Sequence, residues 1–322
     1  MTRRKCLVAA LLLWLGMAAP CLAAYPSQPI TLIVPFPPGG TSDAVAHALR
    51  TRLAENLKQQ VTIDYVAGGA GAVGAMRLKH AAPDGHTIMV ASLTTYVAGP
   101  LSNTAVNYDS ARDFDLLTVA VHVPNVLVVH PDVPAQTVAE FVDYLKRHPD
   151  QVRFSTSGAG GQDQLSMQLF WQRTGTRGVF VHRKGSAPAV ADVAAGRVQA
   201  SIQNLSVALP YIENAQLRAL AVTGSDRSSA IVSTPTLTEL GVPGIETYSW
   251  QGIAAPKGLP PAVKTRLHKA LVASLDAPEV RRHLTRAGFE VVANTPAEFE
   301  RFLHAQRHHW QAIIDRARRT SP

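Results

Sequence analysis

The sequence predicts an α/β protein folded as two lobes around a cleft, and three observations predict it. Short β-rich runs alternate with helical patterns along almost the whole chain, the grammar of strands and crossover helices in mainly parallel sheets. That grammar restarts near residue 130, and the roughly 300 residues after the first 24 suffice for two lobes of ordinary size. Glycine-rich turns recur between a strand and the following helix in both halves.

The first 24 residues stand apart from this pattern. Arg3, Arg4 and Lys5 precede an apolar run from Leu7 to Met17, and small residues follow up to Tyr25. This is the layout of a secretory signal cut after Ala23 or Ala24. The apolar run is shorter than the roughly 20 residues a membrane span needs, and no later stretch reaches that length. Thr2-Arg3-Arg4 is a faint twin-arginine pattern, but the strongly apolar core favours the general secretion route. Cys21 follows Pro20 and has no leucine three positions before it, so lipid attachment there is not favoured. Both cysteines, Cys6 and Cys21, fall inside the segment. The mature chain is thus expected to carry no disulfide, thiol nucleophile or cysteine metal site. Of the net charge of +8, three positive charges belong to the signal. The modest remainder suits encounter with anionic solutes. It does not suggest nucleic acid, because no basic run is interleaved with aromatics.

The elements follow in order. Ile30–Phe36 is a continuous apolar strand, as expected where helices cover both sheet faces. Pro37-Pro38-Gly39-Gly40 turns into a helix whose Val45, Leu49 and Leu53 form one buried stripe. Val61–Tyr65, Thr87–Ala91, Leu116–Val121 and Val126–Val129 read as further strands. Thr137 and Glu140 make a capping box for a helix over Phe141–Arg147. Val152–Ser155 is a strand, Ser157–Gly161 a glycine-rich turn, and a helix runs from about Gln162 to Arg173. Val179–His182 is a strand, and Ser186 with Pro188 opens a helix that Gly196 ends. Val198–Gln203 and Leu217–Val222 are the next strands, and Leu259–Ser274 and Pro278–Ala287 are helices. Thr295-Pro296-Ala297-Glu298 then starts a last helix with apolar face Phe299, Phe302, Leu303, Trp310, Ile313 and Ile314. The first lobe is discontinuous: signal 1–24, first lobe 25–122, second lobe 123–221, first lobe again 222–322.

The chemistry lies in four turns: Pro37–Asp43, Ala67–Gly74, Ser157–Gln164 and Lys184–Pro188. In open α/β sheets, ligands bind beyond the carboxyl ends of the strands, where such turns collect. Each turn offers backbone N–H groups at the positive end of a helix dipole, and Thr41, Ser42, Ser157 and Ser186 add hydroxyl donors. Several helix starts at up to roughly 1 kcal/mol each can hold a carboxylate without a lysine or arginine clamp. Asp43 would repel an anion if it pointed inward, so it is expected to brace its loop. A single such turn is ordinarily only tight loop chemistry, but four of them in both lobes favour a site.

Other readings are weaker. Gly69, Gly71 and Gly74 fit G-x-G-x-x-G, but no ribose-binding acid sits at the spacing of a dinucleotide site. Ser92 and Ser157 are outside G-x-S-x-G, and no histidine has a claim to serve them, so no catalytic residue is assigned. His304, His308 and His309 share a helix, but no cysteine or nearby carboxylate completes a metal shell, and they read as a solvated face. Trp171 and Trp310 fit helix packing. Trp250 fits either the core or the cleft mouth.

Several stretches resemble the substrate-binding proteins of tripartite tricarboxylate transporters, the Bug type. They are Tyr25–Ile30 with Val34-Pro35-Phe36-Pro37-Pro38-Gly39-Gly40-Thr41-Ser42-Asp43, Gly69–Ala75, Ala82–Thr87, Pro124–Val129, Ser155–Gly160, Lys184–Pro188, Leu217–Thr223 and Ser249–Gly252. In order, they cover essentially the whole mature chain. The resemblance implies a type II periplasmic binding-protein fold, with two lobes on a two-strand hinge. Such proteins capture small carboxylates or related solutes through loop backbone, hydroxyls and water.

The ligand-binding set expected on this basis is Phe36, Gly39, Gly40, Thr41, Gly71, Ala72, Ser92 and Thr94 from the first lobe. Ser157, Gly158, Gly160, Gly161, Gln164, Arg183, Gln203 and Asn204 come from the second. This chain departs from the family at three of these. Arg183 stands where an aromatic is usual, Gln164 where histidine is frequent, and Gln203 where an acid is common, so its ligand can differ. Arg183 can be a plain surface arginine or can pair a second carboxylate.

The function expected is periplasmic capture of a small organic anion by a monomer that needs no cofactor or metal. Its partner is a set of membrane permease subunits or, alternatively, the periplasmic domain of a sensor kinase. An exported enzyme on the same scaffold is the remaining rival.

Overall fold

The computed structural model describes residues 25–102, 106–245 and 247–320. The expected signal, with both cysteines, therefore lies outside the described residues, as do the side chains of Ile313 and Ile314. Two sheets share one long strand. In the first, β1 (Ile30–Val34) runs parallel to β2 (Val61–Tyr65) and β3 (Thr87–Ser92). The second sheet holds β5 (Arg153–Thr156), β6 (Val179–His182), β7 (Ala200–Asn204) and β8 (Arg218–Val222). Strand β4 (Phe114–Val129) passes through both. It pairs antiparallel with β9 (Tyr248–Pro256) as far as Pro124, and from Asn125 onward with β7 and β8. A two-residue strand, β10 (Glu290–Val291), completes the first sheet against β4.

Two expectations change here. Leu116–Val121 and Val126–Val129 are parts of one strand, because the Pro124 between them does not end it. Proline lacks a ladder donor and is tolerated where pairing changes hands, and Pro124 stands where β4 leaves one sheet for the other. The sheets are also mixed, since β4 and β9 run antiparallel to their neighbours. Strand β9 itself was not anticipated. Near the crossing, the Thr223 N–H donates to the Asn125 carbonyl at 2.9 Å, and Asn125 Nδ2 donates to the Thr247 carbonyl at 3.0 Å. These bonds bind the crossing segments side by side.

Helices cover both faces of each sheet, which explains the continuous apolar strands. In β1, Ile30, Leu32 and Val34 pack into one core and Ile33 into the core on the opposite face. In β4, Leu127 and Val129 face one side of the second sheet and Val126 and Val128 the other. Each fully buried Leu or Ile contributes about 1.5–3 kcal/mol.

Around the first sheet lie α1 (Thr41–Leu57) and α2 (Ala72–Lys79). The second carries α3 (Val138–Arg147), α4 (Gln162–Thr174), α5 (Ser186–Ala194) and α6 (Leu205–Glu213). Helices α7 (Pro261–Leu275), α8 (Pro278–Arg286) and α9 (Pro296–Thr320) return to the first. Two helix starts form as their sequence predicts. The Glu140 N–H bonds Thr137 Oγ1 at 3.2 Å, and Thr295 and Glu298 cap one another reciprocally. Trp250 is 1% exposed and stacks on Tyr96 at 5.4 Å between ring centroids, so it belongs to the core and not to a cleft mouth.

Candidate functional site

Among the described residues, five helices start at the space between the sheets; α6 begins on Asn204 and the other four on a glycine. Gly40, Gly71, Gly161 and Gly185 are the N-caps of α1, α2, α4 and α5, and none of these starts has a side-chain cap. A helix start carries N–H groups with no intrahelical partner, and a glycine cap leaves them for something outside the helix. Gly71 is fixed by geometry. It has φ +93°, and a Cβ there would lie 2.2 Å from Thr95 Oγ1.

The starts of α1 and α4, with the ends of β3, β7 and β9, enclose a cavity of about 40 Å³. One water needs roughly 10–15 Å³ by this measure, so the cavity has room for about three non-hydrogen atoms, the size of a carboxylate. Both sheets contribute to its wall. Asn204 Nδ2 donates to Thr41 Oγ1 at 2.7 Å, and the Gln162 N–H donates to Thr94 Oγ1 at 3.4 Å, each bond reaching from one sheet's turns to the other's. The wall is hydroxyls and amides: Thr41, Ser42, Ser92, Ser249, Asn204 and Gln251 among them. Among the described residues, no lysine, arginine or histidine lines it.

Gln251 is the informative member. It is 0% exposed, and its Oε1 accepts from Ser42 Oγ at 2.6 Å. Its Nε2 has no partner among the described residues. A buried unpaired donor costs about 1–3 kcal/mol, and this one belongs to a residue that lines the cavity. Its place on β9 opposite Ser92 of β3 brings it there.

The one acid in the wall is Asp163, and it is already occupied. Its carboxylate accepts from Ser157 Oγ at 2.9 Å, from Gln203 Nε2 at 2.9 Å and from the N–H groups of Ser157 and Gln164. A carboxylate has about four acceptor sites, so these bonds use its capacity. Burial pushes its pKa up, against the pull of those four bonds. Asp43 does similar work in the other turn, on the side away from the cavity. It accepts from the Gly39 N–H at 2.7 Å and from the Tyr65 hydroxyl at 2.7 Å. Burial, and then the bond to Asp43, push the Tyr65 hydroxyl up to about 12.

A second cavity, of about 240 Å³, lies outside the first and shares Phe36 and Ser157 with it. Its wall comes from the Gly68–Gly71 turn on one side and from Ser157–Ala159 with His182, Arg183 and Lys184 on the other. Arg183 is not free there. Its Nε bonds Asp192, which also accepts from Arg197 Nε at 2.7 Å. Burial would raise Asp192, but the two arginines outweigh it and hold this carboxyl below its usual range.

Of the residues expected from sequence, Phe36, Gly40, Thr41, Ser92, Thr94, Ser157, Gln203 and Asn204 line the inner cavity. Gly71, Gly158 and Arg183 line the outer one. Gly39, Ala72, Gly160, Gly161 and Gln164 line neither. The Gly39 N–H goes to Asp43, and the Gly160 N–H goes to Gln164 Oε1 at 2.8 Å, so these residues shape the turns. Sequence reasoning missed Ser249 and Gln251, which sit on the unanticipated β9, and Gln162 and Asp163, which looked like an ordinary first turn. A larger cavity of about 600 Å³ beside α9 includes His304 and His308 and shares no residue with the other two. Among the described residues no group of three or more His, Cys, Asp or Glu could hold a metal, and no helix is long and apolar enough to cross a membrane.

Comparison with known proteins bears on this arrangement. Residues 45–318 match the model of the tripartite tricarboxylate transporter family receptor. The chain is 33% identical over 316 residues to protein BugT of Bordetella pertussis, covering 98% of this chain and 97% of BugT. Among solved structures, R. palustris Rpa4515 with adipate is similar with a TM-score of 0.88 and 33% identity, over 91% of this chain and 98% of that one. MatC from Rhodopseudomonas palustris with bound malate gives 0.86 and 27%, over 90% and 100%. The fold is the two-lobed type II fold of periplasmic binding proteins that the sequence predicts, and the chain belongs to the tripartite tricarboxylate transporter receptor family, the Bug-type solute-binding proteins.

Proposed function

We propose that this protein captures a small organic acid in the periplasm by closing its lobes on a carboxylate, and hands it to the membrane subunits of a tripartite tricarboxylate transporter. The observation that carries this reading is the carboxylate-sized cavity, in which uncapped helix starts, hydroxyls and the bare Gln251 Nε2 offer donors. In it, the carboxylate takes the N–H groups of Thr41 and Ser42 at the positive end of α1, with the Gln251 amide closing over it. Relatives solved with adipate and malate support an acid as ligand.

The lobes are residues 25–122 with 222–322, and 123–221, with residues 1–24 removed on export. The reading assigns no turnover. The Ser157 hydroxyl is committed to Asp163, and among the described residues no imidazole lines the inner cavity to act as a base. Because the solute touches both lobes, its binding energy favours the closed state, which is the form the permease would recognise.

Thermal unfolding of the mature chain against a panel of mono-, di- and tricarboxylates, amino acids and aromatic acids tests this. At a hundredfold excess over Kd, a ligand adds about 2.7 kcal/mol, a rise of roughly 4–5 °C in a chain of this size. A panel in which no acid raises the melting temperature contradicts the reading.

A further inference from the structure

Away from the cleft, the cavity of about 600 Å³ beside α9 has a wall in which most polar groups are already paired. Arg307 Nη1 donates to both carboxylate oxygens of Asp109, at 2.9 and 3.0 Å. Gln311 Nε2 donates to Asp315 Oδ1 at 2.8 Å, Lys257 Nζ stands 3.5 Å from Asp115, and Glu300 faces Lys264 at 3.9 Å. His304 and His308 differ from these. Both are exposed, and the polar contact each makes among the described residues is with the other.

The pair occupies positions i and i+4 of α9, neighbours on one helix face. Their Nε2 atoms stand 3.4 Å apart, with ring centroids 4.5 Å apart and ring planes at 65°. That separation is long for a hydrogen bond, whose heavy atoms ordinarily lie about 2.7–3.2 Å apart. It is the bite of a tetrahedral metal ion. Two nitrogens about 2.0–2.1 Å from zinc, subtending about 109°, lie roughly 3.3–3.4 Å apart. The right angle of a square-planar or octahedral ion would need about 2.9 Å. His309, next in the chain, is directed elsewhere: its ring packs on Trp310 at 5.7 Å and lines a different cavity.

We propose that His304 and His308 chelate a zinc ion through their Nε2 atoms, at the wall of this cavity and apart from the solute cleft. Among the described residues no group of three or more His, Cys, Asp or Glu could hold a metal, so the ion has two protein ligands. Water fills its remaining positions, which makes the site exchangeable and weaker than a closed structural zinc site. Both ligands come from one helix and already stand at the required separation, so binding needs no change in the backbone. The solvated face expected from the sequence thus carries a chelate.

Titration calorimetry of the untagged mature chain with zinc chloride, in a buffer that does not bind metal, tests the site. One zinc per chain is expected to bind with a Kd of about 1–100 µM, since two ligands supply roughly half the binding of a four-ligand site. His304→Gln and His308→Gln each remove one ligand and are expected to weaken binding by at least about tenfold. The double variant should abolish it, and His309→Gln should leave it unchanged. All three side chains are exposed, so the variants are expected to fold, which circular dichroism checks. Three results overturn the chelate: no zinc binding by the unaltered chain up to about 1 mM, binding that survives the double variant, or an equal loss in His309→Gln.

Discussion

The turns that open α1 and α4 occupy matching positions in the two lobes and are braced in the same way, yet they present opposite faces to the cavity. Both carry an aspartate in the first turn that accepts an N–H from its own loop. Asp43 sits against Tyr65 and does not line the cavity, whereas Thr41 and Ser42, at the uncapped start of the helix, do. Asp163 is part of the cavity wall, and it absorbs the Ser157 hydroxyl, the Gln203 amide and two backbone N–H groups. The Gln162 N–H is taken by Thr94 from the opposite lobe. In the proposed function, the first-lobe turn supplies donors to the guest and the second-lobe turn shapes and closes the space. Similar glycine-rich sequences do different work because the brace lies behind one and inside the other.

Removing the two braces separates them most strongly. Asp163→Ala leaves the partly buried Ser157 and Gln164 and the buried Gln203 each short of one acceptor and is expected to cost about 3 kcal/mol. Asp43→Ala, with partners nearer solvent, is expected to cost about 1 kcal/mol. Urea unfolding of both variants checks this, and equal losses would erase the distinction. In binding the order reverses. Gln251→Leu is expected to weaken acid binding by about ten- to a hundredfold, as befits a hydrogen bond to a charged group. Ser157→Ala should change affinity by less than about threefold, because that hydroxyl already serves Asp163.

Gly40→Val sharpens the comparison further. A Cβ at Gly40 would stand 3.4 Å from Ser186 Oγ of the other lobe, so the two γ-carbons of valine enter the closing gap. Acid binding should fall while stability moves by less than about 1 kcal/mol, since Gly40 has φ −89° and needs no glycine. Calorimetry together with thermal unfolding reads both.

The smallest effect is one of pH. Asp192 is held below its usual range, so its contribution is present above the unfolded carboxylate value and is lost as pH falls through its own pKa. Asp163 has the opposite sign. Burial raises it, so its contribution is present at low pH and is lost as pH rises through the raised value. Asp192→Asn should therefore flatten the acid side of the stability profile. An unchanged acid limb would remove Asp192 from the account.

Much of this architecture is legible in the residues. The apolar run at Ile30, the stripe of Val45, Leu49 and Leu53, and the capping boxes at Thr137 and Thr295 each specify their element locally. The glycine turns point to the cleft by their number, since any one alone is ordinary loop chemistry and four in both halves are not. What could not be read depends on distant partners. Gln251 stands among apolar residues and looks like the outward side of a strand, and only the pairing of β9 with β3 and β4 turns it into the cavity. Asp163 resembles a helix-dipole acid until Ser157 and Gln203 close on it. Arg183 stands out in sequence because it replaces an aromatic, and Asp192, nine positions on, pairs with it while also pairing with Arg197.

The most direct measurement is calorimetric titration of Gln251→Glu with an acid that binds the unaltered chain. This change keeps the shape of the side chain but puts an acceptor with negative charge where the bare Nε2 stood. If neutral donors grip the carboxylate, affinity should fall by at least about a hundredfold at a pH where the new carboxylate is ionised, and the unfolding temperature should fall as well, because that charge is buried without a counter-charge. Undiminished binding by a folded Gln251→Glu protein would contradict the account.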